Sequence, residues 1–109
     1  MLKDTVKKLY EAMNARDDGA ASALLSADFT EHDPKTPGGK EGFFARCADF
    51  YGDEEIKLEI IEIFEDKEGC VCAYVKAKKD GVTVFRVADI FRVEDGLITE
   101  QWSMRQKAV

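Results

Sequence analysis

Hydrophobic spacing changes period once along this chain, at Gly52, and that change limits what the chain can fold into. Before Gly52, Leu2, Val6, Leu9 and Met13 recur at helical spacing, the apolar stripe of a first helix running to about Arg16. Asp17 or Asp18 can cap a second, short helix through Leu25 by accepting from its orphan amides. A third helix, Lys40 to Tyr51, carries Phe43, Cys47 and Phe50 or Tyr51 along one side, an apolar flank suited to docking on a sheet. After Gly52 the period falls to two. The runs Ile56 to Glu65, Cys70 to Lys79, Val82 to Val93 and Leu97 to Arg105 are separated by DKEG, KDG and EDG, each supplying the glycine of a tight connection. Helices followed by a meander define an α+β chain whose three N-terminal helices cover one face of a curved antiparallel sheet, with room for a short extra strand near Phe29 to Glu31.

Within the third run, Phe85, Val87, Asp89, Phe91 and Val93 share one face, and Asp89 is its only polar member. A carboxylate on a core face costs several kcal/mol unless a donor, a ligand or a proton meets it. Asp89 therefore marks either a lined cavity or a structural network with a Tyr, Trp or backbone donor. If EDG closes a three-residue loop with Gly96 in the left-handed region, Asp89 lies opposite Gln101, Phe91 opposite Thr99 and Val87 opposite Ser103, with Trp102 on the other face. The same rule at KDG puts Val71, Ala73, Val75 and Ala77 on the Asp89 face, leaving space under the helices.

Residues 1–109 make one small domain, short enough that a second subunit would help cover its surface. A net charge of −6 argues against nucleic acid or an anionic membrane as partner. With no long apolar run and no charged-then-apolar leader, a cytoplasmic location is expected. Cys47, Cys70 and Cys72 read as free thiols in a reducing compartment, since the CVC pair lacks a second pair to complete a zinc site. One histidine and scattered carboxylates offer no metal-ligand spacing, and TPGGKEG lacks the form of a phosphate loop, so neither metal nor cofactor is expected.

The amphipathic first helix, ADFTEHDP, the GG-K-E-G-F helix start and the closing DIFRVEDGLITEQWSMRQ resemble the SnoaL-like polyketide cyclases of the nuclear transport factor 2-like superfamily over nearly the whole chain. EHDP is similar to the family's Q-H-N-P, and DIFR-x-x-D-G-x-I-x-E-x-W to its closing D-x-F-R…G-x-I-x-E-H-W-D. The resemblance implies a cone-shaped, cystatin-like fold around a pocket for a small hydrophobic molecule. It also implies dimers that pack sheet to sheet. The superfamily hosts isomerases, dehydratases, hydrolases and binding modules, so the fold does not name a reaction.

Two positions depart from the family. Ser103 stands where the cyclases carry their acid/base aspartate, and Gln101 replaces the histidine before Trp102. Serine has no useful proton affinity near neutrality without a partner base, so the chemistry passes to His32 and Asp89, which the family pattern brings together. The expected catalytic pair is His32 as general base with Asp89 fixing its tautomer. Gln101, Ser103, Phe91, Tyr51 and Phe43 are the expected substrate contacts. Tyr10, on a helix flank, and Tyr74, on the outer face, are weaker sources of a phenolic donor than Tyr51. Two functions fit: a cofactor-independent lyase or isomerase that shifts a proton next to a carbonyl, or a binding or assembly domain that keeps the pocket without the reaction. On the outer face, Cys72, Tyr74, Val84, Ala88, Ile90, Ile98, Trp102 and Met104 form an apolar surface broken by Arg86, Arg92 and Glu100, which predicts a two-fold homodimer.

Overall fold

The computed structural model describes residues 1–32, 38–51 and 55–108, the side chains of 49–51 excepted. Three helices, α1 (Leu2–Asn14), α2 (Asp18–Ala23) and α3 (Gly39–Tyr51), and five strands, β1 (Leu25–Glu31), β2 (Lys57–Glu65), β3 (Cys70–Lys79), β4 (Val82–Glu94) and β5 (Leu97–Lys107), follow the period change read from the sequence. Asp17 caps α2 by accepting from the Ala20 amide at 3.0 Å. The helix stops at Ala23, and Leu25 already belongs to a strand.

The sheet corrects the expected cone. Its strands run in the order β1-β5-β4-β3-β2, open at both ends and not curled closed, and β1 pairs parallel to β5, so the sheet is mixed rather than purely antiparallel. The cause lies in β1, which leaves α2 and joins the C-terminal strand from the far side. The Ile98 amide bonds to Leu24 O at 2.8 Å and the His32 amide to Gln101 O at 2.9 Å, holding both ends of β1 on β5.

Both long hairpins have the same construction. Asp80 and Gly81, like Asp95 and Gly96, sit at positive φ (52° and 76°; 52° and 78°), the signature of a two-residue type I′ turn. The register then slips by one residue beyond each turn, between Ala77 and Lys78 and between Arg92 and Val93. Asp89 consequently faces Ser103, and Phe91 faces Gln101, two residues away from the register expected for three-residue loops. Turn and bulge each invert the alternation, so the faces come out as read, with Gln101 buried and Trp102 on the other side. Ile98 lies between turn and bulge. It is fully buried opposite Val93, not on the outer face where simple alternation puts it.

α1 lays Val6, Leu9, Tyr10 and Met13 into the core formed by Val71, Val75, Val87, Phe91 and Val93. Each such buried apolar side chain contributes roughly 1.5–3 kcal/mol. Asn14 fastens the end of α1 to the edge strand, donating to Leu58 O at 2.9 Å and accepting from the Leu58 amide at 2.8 Å. That tie fixes α1 above the sheet, and with it Tyr10.

Candidate active site

Asp89 stands in the middle of β4 on the inner face, 4% exposed. Its Oδ2 accepts a 2.5 Å hydrogen bond from the Tyr10 hydroxyl, while Oδ1 is buried without a hydrogen-bond partner among the described residues. Burial, and then the adjacent Asp89 charge, push the Tyr10 phenol well above its ordinary value, so the phenol keeps its proton and acts as a fixed donor. Tyr10 is itself held edge-on against Phe91, ring centroids 6.0 Å apart.

One oxygen of Asp89 is thus pinned and the other has no partner among the described residues, in a residue that lines a cavity of about 150 Å³. The described cavity wall is mainly apolar, with Met13, Leu58, Val75 and Phe85 among its members, and its polar groups among the described residues are Tyr10, Asp89, Arg46 and Arg105. Arg46 reaches it from α3, the buried flank of which also carries Phe43 and Cys47. Its Nη2 donates to Glu31 Oε2 at 2.9 Å, both side chains being buried, and the guanidinium carbon sits 5.5 Å from the centre of the Phe43 ring. Burial pulls the Arg46 guanidinium down, but the Glu31 and Asp89 charges outweigh it and hold the group above its usual value. The arrangement places a buried cation and a half-satisfied carboxylate on one small apolar cavity. By contrast, the groove of about 450 Å³ between β1 and the β4–β5 turn is lined by Asp28, Glu94, Asp95 and Glu100, and among the described residues no basic side chain lines it.

The expected Asp89–His32 contact does not form. Phe29 and Glu31 are the inward residues of β1, so alternation turns His32 to the opposite side of the sheet. There the imidazole stacks on Trp102, centroids 4.6 Å apart and planes within 6°, and its Nε2 meets Glu100 Oε2 at 2.9 Å. Asp33 and Pro34, which follow His32 in EHDP, lie outside the described residues, as does the Tyr51 side chain. Gln101 and Ser103 share the inner face with Asp89, and Gln101 Oε1 and Ser103 Oγ are buried without partners among the described residues, yet neither side chain lines the cavity. Phe91 and Phe43 are core residues rather than cavity wall, Phe43 packing edge-on against Phe29 and Phe44. Of the residues expected at the site, Asp89 alone among those described lines the cavity.

Arg46 and Glu31 were missed, and Tyr10 was ranked below Tyr51 as a phenolic donor. Their signals were present: Tyr10 follows Val6 by four residues on the α1 stripe, Arg46 follows Phe43 by three on α3, and Glu31 keeps phase with Phe29. In each case a polar residue occupied an apolar face, which is the pattern that singled out Asp89.

Helices closing over one face of a mixed sheet, with a mostly apolar cavity and a buried carboxylate between the layers, define a small α+β pocket domain. The SnoaL-like domain family matches residues 6–101, and the chain belongs to that family. A search of curated protein sequences finds no significant match. Among solved structures the chain is similar to IdmH, a candidate polyketide cyclase from Streptomyces antibioticus, at 22% identity over 97% of this chain and 92% of that one, with a TM-score of 0.80. A candidate ketosteroid isomerase from Kribbella flavida matches at 18% identity over 99% and 79% of the two chains, TM-score 0.76. An NTF2-like protein of unknown function from Cytophaga hutchinsonii matches at 23% identity over 97% and 90%, TM-score 0.73. At these identities the likeness is one of fold.

Proposed function

We propose that this protein takes a small, largely apolar carbonyl compound into the interior cavity and that Asp89 moves a proton at the carbon next to the carbonyl. The observation that carries the reading is the asymmetry of Asp89, a residue of the cavity wall: Oδ2 is bound by Tyr10, and Oδ1 is buried and partnerless among the described residues. In such a site Oδ1 removes the acidic proton and returns it at the same or a neighbouring carbon. Tyr10 holds the carboxylate in place through its hydroxyl. Arg46, kept on the cavity by Glu31, supplies positive charge as the carbonyl oxygen becomes an enolate. The names of two structural relatives, a cyclase and an isomerase, support chemistry next to a carbonyl. His32, on the other face, has no part in it.

Proton–deuterium exchange at the α-carbon of a panel of small apolar ketones, followed by NMR, tests the reading. Asp89→Asn should slow exchange by about 100-fold or more, the usual contribution of a positioned base, with folding intact. Exchange that survives Asp89→Asn, or that disappears with His32→Ala, would overturn it. Ser103 favours a second reading, a binder that has lost the reaction, because it replaces the acidic residue of the family pattern directly opposite Asp89. A protein that shows no exchange with any ketone as wild type but gains it as Ser103→Asp would establish that second reading.

A further inference from the structure

Two of the three cysteines lie far from the cavity. Cys70 and Cys72 are free, half-buried, and two residues apart on β3, so both point to the outer face while Val71 and Ala73 point into the core. We propose that Cys70 and Cys72 together form a binding site for a soft, two-coordinate cation of the copper(I) class.

The strand decides what the pair can do. At about 3.3 Å of rise per residue, two Cα atoms two positions apart are separated by roughly 6.6 Å, and Cβ atoms projecting the same way keep nearly that spacing. A disulfide needs Cβ atoms about 3.5–4.5 Å apart, so closing one would require β3 to bend. β3 is held against bending by a ladder on each side, Cys70 facing Arg92 and Cys72 facing Ile90 on β4, with Phe64 facing Cys72 on β2. Rotation about χ1 lets each Sγ lean toward the other without moving the backbone. A bridging ion with metal–sulfur bonds of about 2.3 Å spans up to roughly 4.5 Å between sulfurs, which the pair reaches by side-chain rotation alone.

The surroundings select a low coordination number. Among the described residues no group of three or more His, Cys, Asp or Glu side chains converges on a point, so a tetrahedral zinc site is not built here. The Asp66 carboxylate is tied to the turn backbone, its Oδ1 accepting from the Cys70 amide at 3.0 Å and the Glu68 amide at 2.8 Å. Two thiolates without oxygen or nitrogen donors suit a soft monovalent ion. On binding, each thiol gives up its proton to solvent and each sulfur forms one bond to the metal, with no change of oxidation state. The product carries one negative charge, and the Arg92 guanidinium on the neighbouring strand opposite Cys70 compensates it.

The test uses the reduced protein under anaerobic conditions, given copper(I) as its acetonitrile complex in competition with a chromophoric chelator, with stoichiometry read by native mass spectrometry. Wild type and Cys47→Ser should each hold one copper per chain, because Cys47 is buried on α3 across the sheet. Cys70→Ser and Cys72→Ser should each bind at least about 100-fold more weakly, the loss expected when a second ligand no longer acts at high effective concentration. Circular dichroism checks that these near-isosteric variants stay folded. The proposal fails if the chelator strips wild type completely, if either single-cysteine variant retains wild-type affinity, or if zinc binds as tightly as copper. Mild oxidation that converts the pair into an intramolecular disulfide in high yield would also overturn it, since the strand would then have bent.

Discussion

Tyr10→Phe is the most direct test of how the interior network is held. The substitution keeps the ring and its edge-on contact with Phe91, so the packing of α1 on the sheet is unchanged and the loss is confined to one hydroxyl. That hydroxyl donates to Asp89 Oδ2, and a hydrogen bond to a charged group contributes about 1.5–3 kcal/mol. The upper part of the range applies, because Oδ1 already lacks a partner among the described residues and the variant leaves a buried carboxylate with neither oxygen bonded. A loss of about 2–3 kcal/mol is a large share of the 5–15 kcal/mol typical of a domain. Adding Asp89→Val removes the stranded charge and puts a β-branched residue in the strand, so the double variant should regain about 2 kcal/mol or more over Tyr10→Phe alone. Urea unfolding at neutral pH, followed by Trp102 fluorescence and far-UV circular dichroism with coincident transitions, measures both differences. A Tyr10→Phe variant within about 0.5 kcal/mol of wild type, or a double variant less stable than the single one, would refute the reasoning.

Alkaline titration gives an independent check on the same pair. The folded Tyr10 value lies above its unfolded value of 10.0, so the phenolic contribution is complete below that pH and is lost as pH rises through the folded value, at up to about 1.4 kcal/mol per pH unit. Wild type should therefore lose more stability above pH 10 than Tyr10→Phe, and equal slopes would remove the buried phenol from the account. His32→Ala should cost less than about 1 kcal/mol, as expected for a half-exposed pair with Glu100, while changing Trp102 emission through loss of the stacked ring. Gly69→Ala should cost at least about 2 kcal/mol, because the residue sits at φ +92° and an added Cβ would lie 2.9 Å from Val93 O; Gly96→Ala, at φ +78° in open space, should cost only about 1 kcal/mol, and equal losses would remove the steric term. We also propose that the outer sheet face, where Met104 is 53% and Phe64 59% exposed, joins two copies of the chain; sedimentation at micromolar concentration should give twice the chain mass, and a concentration-independent monomer would reject it.

Element boundaries and inner faces were legible because apolar periodicity and glycine turns are local signals. What escaped depended on geometry that local signals do not carry. β1 is short and takes its place from a partner seventy residues downstream, so neither its full extent nor its parallel pairing with β5 could be read from its own residues. The hairpin registers were each two residues out, because a two-residue turn followed by a bulge restores the face pattern of a three-residue loop, and alternation alone does not distinguish the two. Ile98, between turn and bulge, is the residue at which they differ. The family pattern directed attention to His32 in EHDP. The inward residue is its neighbour Glu31, and a count from Phe29 would have shown that the histidine falls on the wrong side.

The buried charges bear on function through their energetic cost. Asp89, Glu31 and Arg46 are each 8% exposed or less in a domain with few residues to spare for its core. Apolar residues of similar volume in place of a buried ion pair are often neutral or stabilising, so stability alone does not explain a network of this kind in so small a protein. Glu31 and Arg46 are paired at 2.9 Å, and that pair could be read as purely structural. Asp89 resists that reading. Tyr10 binds only one of its oxygens, although Ser103 stands directly across the ladder and has a buried hydroxyl that bonds to nothing among the described residues. A site built for rigidity would have joined those two groups. Leaving Oδ1 without a partner in a residue of the cavity wall makes sense if a ligand completes it, and so the Tyr10→Phe, Asp89→Val pair has a second readout: the double variant, whatever stability it regains, should lose α-proton exchange entirely.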